Sequence, residues 1–414
     1  MIILIISIVT CLQINMTNLQ DNYYSLPIQA NNITYNLVVD TGIAETWIFG
    51  KNSNRKKYYE CQKCIPKNIE IQEYAQGKIS GVEYNQKIKI MNQSLYLNII
   101  ETTKVEHFKL IIADGAIGFS KLQLSKEKNL LKNLYDLKVI DEIQFGLLLN
   151  EQNCQSTSIL ILGKPIKNYY INELYYVKTL DSSLWMIQGK SVEIVGKNNK
   201  LELESSSQII VFDSGLSKIL ISKYKFNKLI DILNENYNLN CYQETSYQIN
   251  QIICSYNEQQ YPEVNINIDT NFSLTLLPQD YIEYCYYNYF LQHKCLLNFQ
   301  QIDHTDVLVL GIVFLQKYYI HYDITKLQIG IAQSIYYQRH NQFKYNSNNS
   351  MLYFSLILVL ALLIAIYILL RMLLKKSIHL YLSVLEKSSS RSQEQEMEAI
   401  TLKTQSNNQP PLSS

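Results

Sequence analysis

The sequence predicts an all-β domain made of two lobes, followed by one membrane-spanning helix. Three observations support this: short β-branched strands between polar turns, a strand-and-turn motif in each half, and a run of about 20 apolar residues near the C-terminus. The chain has 414 residues, of which 47% are hydrophobic, so a large core is possible. Its formal net charge of +1 and the lack of a basic stripe give no reason to expect a nucleic acid partner.

The region 22–333 consists mostly of predicted strands. Eight β-branched or alternating runs are bounded by polar turn residues, namely YNLVV, KIKIM, SLYLNII, SILILG, SVEIVG, IIVF, VNINI and LQIGIA. The best helix candidates are residues 125–137 and 223–237, where apolar residues recur at three- and four-residue steps. An all-β body of this length favours two sheet-rich lobes.

Both ends of the chain are predicted to lie outside the globular fold. Residues 1–16 form an apolar run of signal-peptide length, for which a buried first strand is the alternative interpretation. Residues 351–373 are apolar over a length that can cross a bilayer, which predicts a transmembrane helix. Arg371, Lys375 and Lys376 lie at its end, and basic residues stay on the cytoplasmic side.

These segments predict a single-pass type I membrane protein. The mature chain is expected to begin its first strand near Tyr23, with no recognisable basic pro-segment before it. Residues 336–350 are predicted to be a juxtamembrane linker, and residues 374–414 a polar cytoplasmic tail. Export also agrees with four glycosylation sequons, which begin at Asn32, Asn92, Asn271 and Asn348.

The cysteines of an exported domain are expected to form disulfides. Cys61 and Cys64 could be half of a zinc site or a redox pair, but no second pair or histidine lies nearby, so a small disulfide loop is favoured. Two further bridges are expected, with the pairing left open, among Cys241, Cys254, Cys285 and Cys295. Cys154 is then left over.

One strand-and-turn motif occurs twice in the chain. The first copy is YNLVVDTG at residues 35–42, and the second is QIIVFDSG at residues 208–215. Each copy places an aspartate, Asp40 or Asp213, at the junction of an apolar strand and a tight turn. A single Asp-Thr-Gly is usually an ordinary turn, but two copies of one plan are far more specific.

A second repeated motif divides the body into lobes. A hydrophobic-hydrophobic-Gly segment follows each aspartate and ends at Gly118 in the first half and at Gly311 in the second. The two halves therefore predict an N-terminal lobe over residues 22–165 and a C-terminal lobe over residues 166–335. Such a pair of lobes would be related by a pseudo-twofold axis, with one aspartate from each.

The paired aspartates predict acid–base chemistry. Two carboxyl groups about 3 Å apart in a poorly solvated cleft cannot both ionise, so they share one proton and titrate as a unit. The carboxylate can take a proton from a bound water while the protonated partner donates to a peptide carbonyl. Asp40 and Asp213 are therefore the candidate catalytic residues for peptide hydrolysis.

The residues after each aspartate fit this arrangement. The hydroxyl groups of Thr41 and Ser214 can reach the backbone of the opposite loop and fix the two turns against each other. Gly42 and Gly215 let backbone N–H groups approach the carboxylates closely.

These motifs resemble the two active-site motifs of the pepsin-like aspartic proteases. Residues 39–42 with Trp47 are similar to the first motif, and residues 212–215 are similar to the second. Residues 309–319 are close to the C-terminal signature of that family, and the motifs occur in the family's order over 22–333. The resemblance implies a bilobal, mainly β fold with a long cleft that binds an extended peptide.

The resemblance also assigns roles to site residues. The segment YAQGKISG at residues 74–81 is similar to the flap hairpin that closes over substrate, which places Tyr74 as the flap tyrosine in contact with Trp47. The substrate-binding residues implied are Tyr74, Gly42, Gly215, Thr41, Ser214 and Trp47. No cofactor is implied, and the six histidines show no spacing suited to a metal site.

The sequence departs from the family at several positions. Ile43 and Leu216 stand three residues after the aspartates, where the family usually has Ser or Thr, and Ile312 stands where Asp is common. Loss of both hydroxyl groups is expected to raise the pKa values of the dyad, because such groups hydrogen-bond to the ionised carboxylate. These departures leave two hypotheses open.

The first hypothesis is a monomeric aspartic endopeptidase that acts on polypeptides at acidic pH. It would sit in the secretory pathway, at the cell surface or in an acidic vacuole or lysosome, held by its single span. The alternative is a catalytically inactive pseudoprotease whose cleft serves as a peptide-binding or adhesion receptor. Ile43, Leu216 and the missing pro-segment favour the alternative, whereas the intact pair of Asp-Thr/Ser-Gly turns opposes it.

Overall fold

Strands of the computed structural model are numbered in chain order as β1 Leu12–Asn18, β2 Tyr24–Ala30, β3 Ile33–Asp40, β4 Trp47–Phe49, β5 Ile69–Tyr74, β6 Gly77–Ile90, β7 Gln93–Glu106, β8 Gly115–Gly118, β9 Gln144–Leu148, β10 Ser158–Leu162, β11 Tyr170–Lys178, β12 Met186–Gly189, β13 Ser191–Val195, β14 Lys200–Glu204, β15 Gln208–Phe212, β16 Ile219–Ser222, β17 Tyr242–Ser246, β18 Ile249–Ser255, β19 Glu263–Asn267, β20 Ser273–Leu276, β21 Ile282–Tyr287, β22 His293–Ile302, β23 Val307–Leu310, β24 Tyr318–Asp323 and β25 Gln328–Ser334. The helices are α1 Lys121–Ser125, α2 Leu130–Asp136, α3 Lys223–Tyr237, α4 Pro278–Tyr281, α5 Ile312–Leu315 and α6 Leu358–Ile378.

The structure describes residues 11–19, 23–53, 55–61, 64–74, 77–106, 113–125, 129–150, 157–197, 199–246, 249–257, 260–288, 290–303, 305–337, 358–378 and 397. It divides into two units, Met1–Tyr345 and Asn346–Ser414. The first unit holds β1 to β25 and the second holds α6.

The predicted strands are confirmed. All eight runs form strands, because alternating or β-branched residues place one face of each strand against the core. The helix predicted over 223–237 has those bounds and ends where Asn238 adopts the left-handed conformation, with φ 52. The helix predicted over 125–137 is shorter, since the Asn129 side chain caps the helix by accepting from Lys132 N, so α2 begins at residue 130.

Both lobes repeat one local topology around the aspartates. In the first, β3 runs parallel to β8, which is antiparallel to β4. In the second, β15 runs parallel to β23, which is antiparallel to β16. Asp40 and Asp213 therefore emerge at equivalent strand ends, as the repeated sequence motif predicted.

A single sheet joins the two halves of the chain. Its order is β11-β25-β24-β9-β10-β1-β2-β3-β8-β4-β7-β6-β5, so β11, β24 and β25 from the predicted C-terminal lobe pair alongside strands of the predicted N-terminal lobe. The remaining strands form an eight-stranded and a four-stranded sheet. The predicted boundary between the two lobes, after residue 165, therefore does not separate the sheets, because strands from both sides of it belong to the same sheet.

The structure disagrees with the predicted end of the leader at residue 16. Residues 12–18 form β1, which pairs with β10 from Leu12↔Leu162 to Met16↔Ser158. Ile14 and Met16 are buried in the core, so this part of the apolar run is a strand of the fold. The first strand therefore begins at Leu12 and not near Tyr23, while residues 1–10 lie outside the described part of the chain.

The disulfide pairing left open by the sequence is Cys241–Cys254 and Cys285–Cys295, beside the expected Cys61–Cys64 loop. Cys154 lies outside the described residues. Cys11, inside the predicted leader, is the cysteine without a disulfide partner among the residues described.

The apolar C-terminal helix is present as α6. It is long and apolar enough to cross a membrane, as predicted, but it continues to Ile378, beyond the predicted end at residue 373. Residues 351–357 of the predicted span, the linker residues 338–350 and the tail outside α6 and residue 397 lie outside the described residues.

Candidate active site

Asp40 and Asp213 are brought face to face by the two equivalent strand ends. Asp40 is the last residue of β3, and Asp213 directly follows β15. Their carboxyl groups lie close enough for each to alter the pKa of the other. The two candidate catalytic residues of the sequence analysis thus occupy one site.

The residues that follow the aspartates lock the two turns together symmetrically. Thr41 Oγ1 donates to Phe212 O at 3.0 Å and accepts from Ser214 N at 2.9 Å. Ser214 Oγ donates to Val39 O at 2.7 Å and accepts from Thr41 N at 3.0 Å. Because both hydroxyl groups are buried, these four bonds are not exchanged with water and fix the separation of the aspartates.

Gly42 and Gly215 make room for the carboxyl groups. Gly42 N donates to Asp40 Oδ1 at 2.8 Å, and Gly215 N donates to Asp213 Oδ1 at 2.8 Å. A Cβ atom on Gly42 would lie 2.5 Å from Asp213 Oδ2, and one on Gly215 would lie 2.2 Å from Asp40 Oδ2. Each lobe's glycine therefore permits the approach of the other lobe's aspartate.

We expect Gly215→Ala to lower kcat/KM for peptide hydrolysis by about 100-fold, because the new methyl group must push the Asp40 carboxyl out of alignment and misplacement by about 1 Å costs that much. Steady-state kinetics on a fluorogenic peptide would measure this. Gly189→Ala is the matched control, since its Cβ would meet the mobile end of a side chain, Ile210 Cδ1, at 2.6 Å. Equal activity of the two variants would contradict the close packing of the dyad.

Gly118 and Gly311, the glycines of the second repeated motif, pack against the turns that carry the aspartates. A Cβ on Gly118 would lie 2.7 Å from Ile43 O, and one on Gly311 would lie 2.4 Å from Leu216 O. Backbone bonds follow from this close approach: Ser120 N donates to Ile43 O at 3.0 Å, and Ile312 N donates to Leu216 O at 2.7 Å. Both hydrophobic-hydrophobic-Gly motifs thus brace the turns that carry the aspartates.

Burial raises the pKa values of both carboxyl groups. Burial raises the pKa of Asp40 well above its usual range, and repulsion from Asp213 raises it further. Burial raises the pKa of Asp213 to about 6, against the opposing hydrogen bonds from Gly215 and Asp40. A pair of this kind keeps a proton under mildly acidic conditions, which is the state that general acid–base catalysis requires.

The family model for eukaryotic aspartyl proteases matches residues 22–334 of the chain. The chain belongs to the eukaryotic aspartyl protease family. Among its relatives, renin of Echis ocellatus is 22% identical over 342 residues, covering 77% of this chain and 82% of that one. Chymosin of Ovis aries is 24% identical over 324 residues, covering 73% of this chain and 77% of that one.

Two further comparisons extend this likeness. Vacuolar protease A of Aspergillus fumigatus is 22% identical over 320 residues, covering 72% of this chain and 75% of that one. The crystal structure of the aspartic proteinase from Irpex lacteus superposes with a TM-score of 0.63 at 18% identity, covering 79% of this chain and 98% of that one. The fold is therefore the pepsin-like aspartic protease fold, as predicted.

The segment expected to be the flap forms the β5–β6 hairpin. Tyr74 ends β5 and stands opposite Gly77 of β6. The side chain of Tyr74 and residues 75–76 lie outside the described part, so its contact with Trp47 stays a prediction. Trp47 itself is buried in β4, edge-on to Phe49 with ring centroids 5.1 Å apart.

Ile43 and Leu216, the departures from the family, point into apolar surroundings. Ile43 is buried in a cluster with Val38, Trp47 and Ile100, and Leu216 is buried beside Val211 and Val309. Their side chains carry no donor for the carboxylates, so backbone groups carry out that role, with Gly42 N and Gly215 N as donors. The pKa values of Asp40 and Asp213 are raised chiefly by burial, so the further rise expected from the missing hydroxyl groups stays a prediction.

We expect Ile43→Thr and Leu216→Thr to shift the pH–rate profile towards acid by about 1 unit, because a hydroxyl donated to a carboxylate favours its ionised form and lowers its pKa. Ile43→Val and Leu216→Val are matched controls, since valine has the shape of threonine without the hydroxyl. The profiles of kcat/KM for the four variants would be compared. Identical profiles for threonine and valine would show that the missing hydroxyl groups do not set the working pH.

Tyr322 is a site neighbour to which the sequence analysis assigned no role. It is buried in β24, where its ring stacks on Phe145 at 4.4 Å and lies 5.0 Å from Trp185. Burial raises the pKa of its hydroxyl group above the usual range, and the charge of Asp213 raises it further. The sequence contained no signal for this interaction, because Tyr322 is distant in sequence from both aspartates.

Metal ligation finds no support in the part of the chain that the structure describes. No three His, Cys, Asp or Glu side chains there lie close enough to hold an ion.

Proposed function

We propose that the protein is an aspartic-type endopeptidase that hydrolyses peptide bonds with a water activated between Asp40 and Asp213. The observation that carries this proposal is the symmetric lock of Thr41 and Ser214, which holds one carboxyl group from each lobe against the other. The raised pKa values of the two carboxyl groups allow the pair to keep one proton that they share. Membership of the aspartyl protease family supports the same chemistry.

In the proposed reaction, the ionised carboxylate takes a proton from water as the water oxygen attacks the peptide carbonyl carbon. The protonated carboxyl gives its proton to the carbonyl oxygen, so a neutral tetrahedral intermediate forms. The C–N bond then breaks as the leaving nitrogen gains a proton from the carboxyl group that was protonated by water, while a hydroxyl group of the intermediate returns its proton to the other carboxylate as the C=O bond re-forms. Two protons enter the pair and two leave it, so it returns to its starting state without a metal or a covalent intermediate.

The substrate proposed is an extended polypeptide. Such a chain can add as a strand beside the β5–β6 hairpin, with main-chain hydrogen bonds giving affinity and side-chain pockets giving specificity. β5 is at the edge of its sheet, so its outer backbone groups have no strand partner among the described residues. Tyr74 at the end of this strand is the proposed flap residue.

We also propose the cellular setting expected from the sequence: a monomeric single-pass type I protein of the secretory pathway, the cell surface or an acidic vacuole. Three disulfides and α6 support export and anchoring. Three of the sequon asparagines lie at exposed turns, as glycosylation requires: Asn32, Asn92 and Asn271. Asn348 lies outside the described residues.

The test is cleavage of denatured globin by the full-length chain in detergent between pH 3 and 7, with and without a pepstatin-like inhibitor. We expect cleavage that the inhibitor abolishes, since a mimic of the tetrahedral intermediate binds the dyad. Cleavage that resists the inhibitor would remove the proposal.

A second candidate is the pseudoprotease that binds peptides without cleaving them, which the apolar Ile43 and Leu216 favour. Tight binding of the inhibitor by folded protein, with no cleavage at any pH in this range, would establish it instead.

A further inference from the structure

The hairpin between β21 and β22 presents two large apolar side chains to solvent. Phe290 is 84% exposed and Leu291 is 76% exposed, at the tip of the turn between Tyr287 and His293. Tyr287, at the base of the turn, is also exposed. We call Tyr287, Phe290 and Leu291 the apolar tip. Exposure of adjacent large apolar residues costs free energy in water and marks a contact surface.

The apolar tip is held in shape by its own hydrogen bonds. Asn288 Oδ1 accepts from Phe290 N at 3.0 Å and from Gln292 N at 2.9 Å. Leu291 N donates to Asn288 O at 3.0 Å, and Leu291 adopts a φ of 58, a conformation that a β-carbon disfavours. The turn thus keeps Leu291 in place despite backbone strain, and it presents the side chain outward.

The base of the hairpin is rigid as well. The Cys285–Cys295 disulfide crosses the two strands. Above it, His293 lies between two aromatic rings, with centroids 4.6 Å from Tyr287 and 4.0 Å from Tyr256. Burial lowers the pKa of His293, so this stack stays uncharged at neutral pH. A rigid base lets the tip bind without losing conformational entropy.

The composition of the hairpin matches a bilayer interface. Residues 284–294 read YCYYNYFLQHK, which contains four tyrosines, a phenylalanine, a leucine and a lysine but no Asp or Glu. Aromatic residues concentrate at the headgroup level, apolar tips enter the acyl region, and cations pair with lipid phosphates. Lys294 directly follows His293 on β22, and its Nζ lies 3.2 Å from Ser255 Oγ.

The globular unit is tethered to α6, the candidate membrane span, by a short segment of the chain. Residues 338–357 connect the last described residue of the globular unit to α6, the candidate membrane span. A segment of this length spans at most about 70 Å when fully extended. Because the tether makes the second contact intramolecular, even a weak affinity of the tip for lipid is sufficient for binding.

We propose that the apolar tip inserts into the outer leaflet of the membrane in which the chain is anchored, giving the protease domain a second membrane contact. The proposal goes beyond proteolysis and does not depend on it. It does depend on α6 crossing the bilayer. A second copy of the chain, bound tip to tip, is the competing occupant.

The experiment uses the full-length chain in nanodiscs, with Phe290→Trp as a fluorescent reporter. Lipids with brominated acyl chains quench tryptophan only at the membrane. The native Trp47 and Trp185 are buried in the protein core, so the unmodified chain gives the baseline. Leu327→Trp is the matched control, because Leu327 is 48% exposed in another tight hairpin turn with a φ of 50.

We expect the emission of Phe290→Trp to shift to the blue and to be quenched by brominated lipid several-fold more than that of Leu327→Trp. Tyr287→Trp, at the base of the turn, should show intermediate quenching. Equal quenching of the Phe290→Trp and Leu327→Trp reporters would overturn the proposal. A blue shift that depends on protein concentration and not on brominated lipid would overturn it in favour of contact between copies.

Discussion

Asp40→Asn is expected to lower the rate of peptide hydrolysis by at least about 10³-fold without unfolding the protein. The amide has the shape of the carboxyl group, so Gly42 N keeps an oxygen acceptor. It can neither take a proton from water nor share one with Asp213, which removes general acid–base catalysis. Asp213→Asn should have the same effect, because the lock of Thr41 and Ser214 makes the two sides equivalent. Activity on a fluorogenic peptide at pH 4 to 6 measures the loss.

Asp136→Asn is the matched control for these variants. Asp136 is an exposed carboxylate on α2 that pairs with Lys132 at 2.5 Å, so its loss should leave kcat/KM unchanged. Thermal unfolding and binding of a pepstatin-like inhibitor would show that each variant is folded. If Asp40→Asn kept most of the wild-type rate in a preparation free of other proteases, the dyad mechanism would be wrong.

The globular unit is expected to lose about 3 kcal/mol of stability between pH 6.5 and pH 4 through His321 alone. His321 is buried in β24 between Gly146 of β9 and Gly330 of β25, and burial lowers the pKa of its imidazole to about 3. The unfolded chain binds a proton as pH falls through about 6.5, whereas the folded chain binds it only near pH 3. Acid therefore favours the unfolded state throughout this window.

The surroundings of His321 explain why protonation of its imidazole to the cation is disfavoured. Tyr176 on β11 places its hydroxyl group 3.4 Å from Nδ1, and the charge of Lys326 in the following turn disfavours a second cation. The neighbouring Asp323 carboxylate instead accepts from Lys326 N at 2.9 Å and from Gln328 at 3.3 Å. Nε2 is buried with no hydrogen-bond partner among the described residues.

His321→Leu tests this effect by removing the titrating group. In an Asp40→Asn background, which prevents self-digestion, the melting temperature of the leucine variant should fall less between pH 6.5 and 4 than that of the parent. Tyr176→Phe is the control, because it alters the same contact but keeps the imidazole, so it should retain the parent's pH dependence. Parallel pH profiles for the leucine variant and its parent would contradict the role of His321.

Local features of the fold and site were predictable because short-range chemistry sets them. Strand 208–212 and helix 223–237 follow from residue periodicity within a few neighbouring positions. The pairing of Asp40 with Asp213 was predictable because two copies of one local motif have to meet across a pseudo-twofold axis.

Other features depend on partners that are distant in sequence. Residues 12–16 were predicted as leader, because an apolar run does not reveal whether it enters a membrane or pairs with a strand such as β10. The disulfide pairing was set by β17, β18, β21 and β22 lying together. The unusual surroundings of His321 and Tyr322 arise from packing across the shared sheet, for which neither residue has a local signature.

The shared sheet also constrains when the protein can fold during synthesis. β24 pairs with β9, and β25 completes the same edge, so residues 318–334 are needed before the strands of the first half are all paired. These residues emerge just ahead of α6. If the domain is exported as proposed, the nascent chain keeps an unpaired β edge until residues 318–334 have been translocated, which leaves that edge open to aggregation during synthesis.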